Sequence, residues 1–402
     1  METFVKYAVS SGAEISIING SFTGSRGCGN PSVIKYNGKT YMTFRSGSYT
    51  FICNRYVFKQ TGNRISWYPI NLYNEVPVNF VSKNYICEFD TETLAASNPV
   101  EILGPKRTNL YFNGTEDIRL YTYDGNLCMQ YSEFEPDSRV SMNISTFGPE
   151  LNEKTSSKFN ISQCEKNWMP IINSDNAFVR IAFGNVVKIS NGKLLSDGDP
   201  NMDITERGST QLWPYKDSYI CIVHCSRMSD GKIQYLHKFV MTDKNLNKTL
   251  ESDWFMFIGA PVEFTCGMLV DDNVMILPFS VFDNVSIVIK ISMDDVISFM
   301  KGESMHDAKI SGNEFAHVVK DSDTNGICGY IANLKWMNSA TKIALMTFMG
   351  TNVQDINECR ELYVKALCEI KHFDTGMDNK YMHMLIGQDM IRDIIDETYN
   401  NR

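Results

Sequence analysis

The 402-residue sequence predicts an all-β fold, and three observations support this class. Short segments rich in Val, Ile, Tyr, Phe and Thr recur through most of the chain, separated by Gly, Asn and Asp turns. Helical periodicity is missing until the C-terminal region. Apolar residues make up 43% and charged residues 21% of the chain, which is ordinary for a globular protein that buries a substantial core.

Pairs of apolar segments joined by tight-turn residues indicate β-hairpins. The first pair, 32–36 and 40–45, is joined by Asn37-Gly38, a dipeptide that supplies the positive φ values of a type I′ turn. The same layout returns at 119–131, 211–224, 267–279 and 329–349. These hairpins begin about 55 to 90 residues apart, enough chain for one four-stranded sheet in each interval. The pattern predicts a five-bladed β-propeller, in which each blade points a hairpin end at a common axis.

The C-terminal region is expected to be helical. Apolar residues recur at helical spacing in 354–367 and again in 384–399. The sequence therefore predicts a propeller domain over residues 1–350 and a short helical extension over residues 351–402 that packs on it. A contact in a homo-oligomer is the alternative role for this extension.

Charge and composition exclude several classes of partner. A formal net charge of -9 argues against a protein that coats nucleic acid by neutralising phosphates. The N-terminus lacks a signal-peptide pattern, and no apolar run approaches about 18 residues, so a cytoplasmic protein with no membrane span is expected. The eleven cysteines are scattered without a CxxC framework and are expected to be free thiols.

Metal and cofactor motifs are missing from the sequence. It contains no P-loop, GxGxxG, HExxH or zinc ligand set. Asp197-Gly198-Asp199 pairs two carboxylates, but its setting is that of an ordinary loop. No metal or cofactor is therefore expected.

Four polar clusters, each at the end of a predicted hairpin or strand, indicate a functional site. Because such ends converge on the axis of a propeller, we expect the clusters to meet there. They are Gly29-Asn30-Pro31-Ser32 with Thr43-Phe44-Arg45-Ser46, Gly114-Thr115-Glu116-Asp117-Ile118-Arg119, Cys164-Glu165-Lys166-Asn167-Trp168-Met169-Pro170, and Arg207-Gly208-Ser209-Thr210 with His224.

These motifs resemble a known family. Asn30-Pro31 with Phe44-Arg45, followed by the Glu116-Asp117-Ile118-Arg119 motif, is similar to the five-bladed propeller family of β-mannoside phosphorylases and hydrolases, whose relatives transfer β-1,2-linked mannose. The segments 165–170, 207–224 and 262–268 resemble a divergent eukaryotic and viral branch that includes fungal β-mannosyltransferase-like proteins. The resemblance spans roughly residues 26 to 290.

The resemblance implies that Asp117 is a general acid. A carboxyl donates a proton near neutral pH only when burial or a neighbouring anion raises its pKa. Strand alternation is expected to turn Arg119 to the same side as Asp117 and Glu116 to the other side. Arg119 is then expected to bind sugar or phosphate oxygens, and Glu116 is also a substrate-binding candidate. The alternative for this motif is a surface turn with an ion pair.

The remaining candidates are proposed to bind substrate. Phosphate oxygens require converging cations, for which Arg45, Lys166, Arg207 and His224 are candidates. His224 could equally be a satisfied core histidine, and Lys166 a solvated turn lysine. Trp168 is expected to form a platform for a sugar ring or to pack in the core, and Asn30 and Asn167 are expected to bind sugar hydroxyls or to form turns. Glu165 and Glu263 could activate water in a hydrolase. Asp283 is similar to a late acidic position of the family.

The sequence therefore predicts an enzyme that transfers a β-linked hexose, mannose by resemblance, between a sugar nucleotide or sugar phosphate and a carbohydrate acceptor. Phosphate or the sugar nucleotide would be a co-substrate, and no cofactor is needed. A glycoside hydrolase acting on β-mannosides is the nearest alternative. A non-catalytic, glycan-binding propeller is the alternative from another class.

Overall fold

The computed structural model describes residues 3–303 apart from 24–27, 48, 53–55, 62–63, 70–79, 103–111, 136–138, 148–152, 160–165, 175, 182–184, 191–192, 195–205, 230–231, 260–261, 282 and 284. Five antiparallel sheets form the blades of a β-propeller, which confirms the predicted fold class. Strands of each sheet contact strands of the next sheet around the ring. Neither helix of the described part has the length and apolar character needed to cross a bilayer.

The first blade contains the hairpin predicted around Asn37-Gly38. The chain enters it through α1 (Phe4–Ser10), β1 (Glu14–Ile17) and a 3₁₀ turn (Ser21–Thr23). The blade consists of β2 (Gly29–Tyr36) and β3 (Lys39–Gly47), then β7 (Phe80–Asp90) and β8 (Ala95–Ile102), with β9 (Phe112–Asn113) parallel to β7. Between β3 and β7 a separate three-stranded sheet forms from β4 (Tyr49–Ile52), β5 (Tyr56–Thr61) and β6 (Arg64–Pro69).

The next three blades follow in chain order, each with its strands in sequential order. The second consists of β10 (Thr115–Tyr123), β11 (Asn126–Phe134), β12 (Val140–Phe147) and β13 (Glu153–Phe159). The third consists of β14 (Met169–Pro170), β15 (Ala177–Ile181), β16 (Asn185–Ser190) and β17 (Lys193–Leu194). In the fourth, β18 (Arg207–Gly208) and β19 (Trp213–Tyr215) both pair with β20 (Ser218–Ser229), and β21 (Lys232–Thr242) and β22 (Lys248–Glu251) follow.

The fifth blade joins the two ends of the described chain. It contains β23 (Glu263–Phe264), β24 (Leu269–Asp271), β25 (Val274–Val281) and β26 (Val285–Ser292), and β1 pairs with β26 in antiparallel register from Glu14↔Lys290 to Ile17↔Ile287. A short helix, α2 (Met293–Met300), begins directly after β26. The N-terminal strand therefore closes the ring.

Four of the predicted hairpins are present as β2–β3, β10–β11, β19–β20 and β24–β25. The third blade was not predicted, because its first and last strands contain only two residues each. The hairpin predicted at 329–349 and the helices predicted at 354–367 and 384–399 lie outside the described residues. The blade count of five is thus reached with residues 169–194 in place of that hairpin.

Gln211 ties four blades together on the axis. Its side-chain amide donates hydrogen bonds to Val33 O (3.2 Å), Leu120 O (2.5 Å) and Ser32 Oγ (3.3 Å), and its carbonyl oxygen accepts one from Met268 N (3.1 Å). The Gln211 side chain is fully buried. A buried amide that is fully hydrogen-bonded specifies one arrangement of the groups around it. This residue therefore sets the mutual position of the inner strands beneath the polar clusters.

Candidate active site

Four Asn and Asp residues near the axis adopt left-handed backbone conformations. Their φ angles are 45° at Asn30, 55° at Asp117, 64° at Asn167 and 53° at Asp283. Positive φ is uncommon for residues with a side chain, and Asn and Asp tolerate it best. The first two lie where the strand register shifts, between Gly29 and Ser32 in β2 and between Glu116 and Arg119 in β10. Such β-bulges redirect side chains next to functional sites.

The bulge in β10 overturns the expected alternation of this motif. Glu116 and Asp117 both approach Arg45, whose Nη1 lies 3.0 Å from Glu116 Oε1 and 3.7 Å from Asp117 Oδ1. Arg45 Nη2 lies 3.0 Å from Asp283 Oδ2, and Lys166 Nζ lies 3.2 Å from Glu116 Oε2. Residues from blades one, two and five thus meet in one ionic cluster, with Lys166 from the start of blade three.

Asp117 is the carboxylate at the centre of this cluster. Its side chain is 14% exposed, and its Oδ1 accepts a 2.7 Å hydrogen bond from Asn30 Nδ2. Asn30 is held in turn by Ser280, whose hydroxyl donates to Asn30 Oδ1 over 2.8 Å. Burial alone would raise the pKa of Asp117, but the charges of Arg45 and Lys166, with the hydrogen bond from Asn30, hold this pKa below its usual value. Asp117 is therefore ionised at neutral pH.

The pKa of Asp283 is shifted in the opposite direction. Burial raises the pKa of its carboxyl above the usual value, and the negative charges of Asp117 and Glu116 add to this effect against the lowering effect of Arg45. Its side chain is 15% exposed. Two carboxyl groups that share one guanidinium therefore differ in proton affinity, a property of many acid–base pairs.

Arg119 forms a structural clamp, which corrects the expectation that it binds sugar or phosphate oxygens. It is 1% exposed. Its Nε donates to Ser209 O (2.7 Å), its Nη1 to Asp117 O (3.0 Å), and its Nη2 to Gly208 O and Asn167 Oδ1 (3.2 Å each). These four hydrogen bonds leave little donor capacity for a substrate. The guanidinium instead joins blade two to blades three and four.

Two further candidates, Trp168 and Glu263, are buried in the interior and have structural roles. Trp168 is fully buried, with its ring centroid 5.9 Å from that of Phe159 and 6.0 Å from that of Phe178, so it packs in the core and cannot present a face to a sugar. Glu263 is also fully buried, and its carboxylate accepts hydrogen bonds from the backbone N–H groups of Phe257 (2.5 Å) and Ile258 (2.8 Å). The expected substrate roles of Trp168 and Glu263 are therefore corrected. Glu165 lies outside the described residues.

His224 lies close to the cluster but is not a cation. Its Nδ1 is 2.8 Å from Ser209 Oγ, and its ring meets Phe264 edge-on at 4.9 Å. Burial lowers the pKa of His224 well below its usual value, and the charges of His237, Arg119 and Arg207 lower it further. The imidazole is neutral at neutral pH, so the expectation that it supplies positive charge is corrected.

Arg207 is an exposed cation at the same end of the axis. Its backbone pairs with that of His224, and the carbonyl of the next residue, Gly208, accepts from Arg119. Among the described residues, its guanidinium has no hydrogen bond or salt bridge. Lys166, by contrast, pairs with Glu116 and lies 4.7 Å from the ring centroid of Phe134. Arg207 is therefore the better placed of the two to receive an anion.

Tyr235 is a member of the site that sequence reasoning missed. Its ring lies 6.0 Å from those of His224 and Phe264. Burial raises the pKa of Tyr235 to about 12, and the charges of Asp283 and Asp117 add to this effect, so its phenol stays protonated at neutral pH. In the sequence, Tyr235 is one residue in the alternating pattern of β21, and no motif marks it as part of a site. Only the pairing of this strand brings it to the axis.

No group of three or more His, Cys, Asp or Glu side chains within the described ranges is arranged to hold a metal ion. Asp197 and Asp199 lie outside these ranges. The cysteines that are described, Cys28, Cys87, Cys128, Cys221, Cys225 and Cys266, are free.

The fold and the site define a five-bladed β-propeller with an acidic pair and cations at one end of its axis. No family model and no curated protein matches the sequence. Solved structures of similar fold include the β-1,2-mannobiose phosphorylase of Listeria innocua, with 10% identity, a TM-score of 0.47, and coverage of 72% of this chain and 94% of that one. A mannose phosphorylase from Leishmania mexicana in complex with phosphate has 13% identity, a TM-score of 0.46, and coverage of 73% and 93%.

A GDP-Man-dependent mannosyltransferase from Leishmania mexicana is also similar, with 14% identity, a TM-score of 0.44, and coverage of 70% of this chain and 88% of that one.

Proposed function

We propose that the protein is an enzyme of the glycosyltransferase or phosphorylase type, which transfers a hexose between a sugar nucleotide or sugar phosphate and a hydroxyl group of a carbohydrate acceptor. The observation that carries this proposal is the Asp117 carboxylate, 14% exposed at the axis, 3.7 Å from Arg45 and under the influence of the charge of Lys166, with the exposed guanidinium of Arg207 at the same end. A proton-transfer group beside an anion-binding cation is what glycosyl transfer from a phosphorylated donor requires.

The proposed reaction is one displacement at the anomeric carbon. The acceptor oxygen forms a bond to this carbon while its proton passes to Asp117. The bond from the anomeric carbon to the phosphate oxygen breaks, and its electron pair leaves with that oxygen. Arg207 and Lys166 stabilise the negative charge on the departing phosphate. In the reverse direction phosphate attacks the same carbon, and Asp117 returns the proton to the leaving sugar oxygen.

The ionisation of Asp117 supports the synthetic direction. Because Arg45, Lys166 and Asn30 keep the pKa of Asp117 low, the free protein holds a carboxylate that is ready to accept a proton. Breakdown requires the protonated form and hence a substrate that raises this pKa. Mannose in a β linkage is proposed from the motif resemblance of 114–119, and the expected cytoplasmic location is consistent with a sugar nucleotide or sugar phosphate as donor.

Hydrolysis of a β-mannoside is the second candidate, since Asp283 provides another carboxyl next to Arg45. An inverting hydrolase needs a second carboxylate that activates water across the sugar. Of the two residues suggested for this task, Glu263 is committed to backbone N–H groups. Transfer is preferred because Asp117 is ionised and able to accept the proton of an acceptor hydroxyl.

The test is an assay with labelled GDP-mannose or mannose 1-phosphate and mannose or β-1,2-mannobiose as acceptor, followed by mass spectrometry of the products. Chain growth is expected, and Asp117→Asn should lower its rate about 100-fold or more because the proton acceptor is lost. Asp124→Asn is the matched control, since Asp124 lies exposed in the turn after the same strand and should retain the wild-type rate.

Three results would count against this proposal. Full turnover in Asp117→Asn would remove Asp117 from the reaction. Release of free mannose from β-mannosides without chain growth would favour the hydrolase. Mannose binding without turnover of any donor would favour a non-catalytic glycan-binding propeller.

A further inference from the structure

Two glutamates and two lysines form a closed ionic quartet on blade four. Glu206 Oε1 lies 2.9 Å from Lys238 Nζ, and Glu206 Oε2 lies 2.6 Å from Lys248 Nζ. Glu251 binds the same two lysines, at 3.0 Å from Lys238 and 2.7 Å from Lys248. Each carboxylate therefore bridges both ammonium groups. The ammonium group of Lys238 also lies 4.5 Å from the ring centroid of Trp254.

The quartet is partly shielded from water, unlike the exposed ion pairs elsewhere on the propeller. The side chains of Lys238 and Glu206 are 13% and 19% exposed, compared with 58% and 36% for the pair of Lys39 and Glu88. Burial alone would raise the pKa of Glu206, but hydrogen bonds from Lys248 and Lys238 lower it. Networks of several charges hold their geometry better than single exposed pairs do.

The quartet anchors the chain directly before Arg207. Strand β18 contains only Arg207 and Gly208, which form two pairs with β20, and the N–H groups of Ser209 and Thr210 both donate to Ile222 O of the same strand. Lys238 lies on β21 and Lys248 on β22, so Glu206 ties this short strand to the outer part of the blade. Successive residues of a strand point to opposite faces. Holding Glu206 on the quartet therefore turns Arg207 to the face that carries His224.

We propose that Glu206 is a positioning residue, which uses the quartet to orient Arg207 toward a phosphate group bound at the axis. This inference rests on the proposed function, in which Arg207 receives the phosphate of the donor. Arg119 holds the chain on the C-terminal side of Arg207, through Gly208 O and Ser209 O, and the quartet supplies the attachment on the N-terminal side, through Glu206. Without it, the guanidinium would sample many orientations, and part of the affinity for phosphate would be lost in ordering it.

Calorimetric titration of the full chain with inorganic phosphate, pyrophosphate and mannose separates positioning from general damage. Glu206→Gln is expected to weaken binding of the two anions about two- to tenfold, the effect of having to order one side chain on binding, and to leave mannose binding unchanged. Arg207→Gln should weaken anion binding at least as much. The double variant should be no weaker than Arg207→Gln, because Glu206 acts only through Arg207.

Matched controls are available in the same chain. Glu88→Gln removes a carboxylate that pairs with Lys39 at 2.6 Å on another blade, and it should bind both anions as the wild type does. Lys248→Arg keeps the charge of the quartet and should retain wild-type affinity. If Glu206→Gln does not fold, Lys248→Met leaves the pair of Glu206 and Lys238 in place and should show a smaller loss of anion binding.

The possible failures are distinguishable. The positioning role is overturned if Glu206→Gln loses affinity for mannose and for phosphate equally. It is also overturned if the double variant binds the anions more weakly than Arg207→Gln by the full effect of Glu206→Gln. If Arg207→Gln binds both anions as tightly as the wild type, Arg207 is not the phosphate group's partner and the anion subsite of the proposed function fails. That subsite also fails if the wild type binds mannose but neither anion, or binds none of the three.

Discussion

Arg45 and Arg119 are both buried arginines at the axis, and their partners give them different roles. Arg45 contacts Glu116, Asp117 and Asp283, so its charge sets the proton affinities of side chains that face the site. Arg119 donates mainly to backbone carbonyl groups, and these hydrogen bonds hold inner strands together. A buried arginine of the second kind contributes to stability through hydrogen bonds whose loss leaves carbonyl groups unsatisfied.

Arg119→Met should therefore lower the free energy of unfolding by about 3 kcal/mol or more, because the carbonyl groups of three residues lose a charged donor in the interior. Urea denaturation followed by circular dichroism measures this change. Arg227→Met is the control, since Arg227 is exposed and bonded to Gln234, and it should change the stability by less than about 0.5 kcal/mol. A stable Arg119→Met protein that no longer binds sugar would restore the substrate role expected from the sequence.

The sequence predicted which residues belong to the ionic cluster more reliably than it predicted where their side chains point. Asn30, Arg45, Lys166 and Asp117 come together as the hairpin argument expected. Glu116 was assigned to the wrong side, because a β-bulge interrupts the alternation on which that assignment depended. Bulges arise from the pairing of two strands, and nothing in the local pattern of hydrophobic residues indicated this one.

At the scale of the elements, the contact between blades three and four depends on a glycine. A Cβ atom at Gly208 would lie 2.3 Å from Asn167 O and 2.4 Å from Met169 Cγ, both closer than van der Waals contact. The missing side chain lets β18 approach the start of blade three. Arg119 can therefore bond to Asn167 and Gly208 at the same time.

Gly208→Ala should separate these two strands, and we expect a loss of about 2 to 3 kcal/mol of stability from overpacking. Because the shift moves Arg207 as well, phosphate binding should weaken in the same variant. Gly38→Ala is the control: its added Cβ would meet no atom within 4 Å, and only its positive φ of 76° is costly, by about 1 kcal/mol. Thermal unfolding and phosphate titration of both variants test this prediction, and equal effects at the two sites would contradict it.

Turn chemistry explains which elements the sequence predicted. The hairpins with Asn37-Gly38 and Asp124-Gly125 at their turns were correct, because these dipeptides favour a turn whatever surrounds them. The third blade was missed, since strands such as β14 and β17 are too short to show a period. The pairing of β1 with β26 was also missed, because the partners lie at opposite ends of the described chain.

The whole molecule is held closed where its described ends meet. Helix α1 places Phe4 against Phe239, Phe255 and Phe299, with ring centroids 5.1, 5.3 and 4.9 Å away. Aromatic packing of this kind stabilises beyond the buried area alone. At the edge of the cluster lies His237, fully buried and with no hydrogen-bond partner for either ring nitrogen among the described residues.

His237 should make the closed ring sensitive to acid. Burial lowers the pKa of His237 from 6.5 to about 3, so the unfolded chain takes up this proton before the folded one does. Above about pH 6.5 His237 is neutral in both states and does not lower the free energy of unfolding. As the pH falls toward 3, protonation of His237 in the unfolded chain lowers the free energy of unfolding progressively. Between pH 7.5 and 5 the wild type should lose about 2 kcal/mol that His237→Phe does not lose.

Urea denaturation at both pH values measures that difference. Tyr235→Phe is the control, because Tyr235 lies on the same strand and its phenol does not titrate in this range, so it should follow the wild type. If wild type and His237→Phe show the same pH dependence, His237 is not the source of the acid sensitivity.

By itself, the sequence determined the all-β propeller class, four of the hairpins and the end of each of these hairpins at which polar groups gather. Turn dipeptides and alternating apolar residues carry this information, since they act between near neighbours in the chain. Only the tertiary structure decided that Glu116 joins Asp117, that Arg119, Trp168 and Glu263 are structural, and that Tyr235 belongs to the site. These outcomes depend on burial and on partners from other blades, because proton affinity and hydrogen-bond capacity follow from what surrounds a side chain.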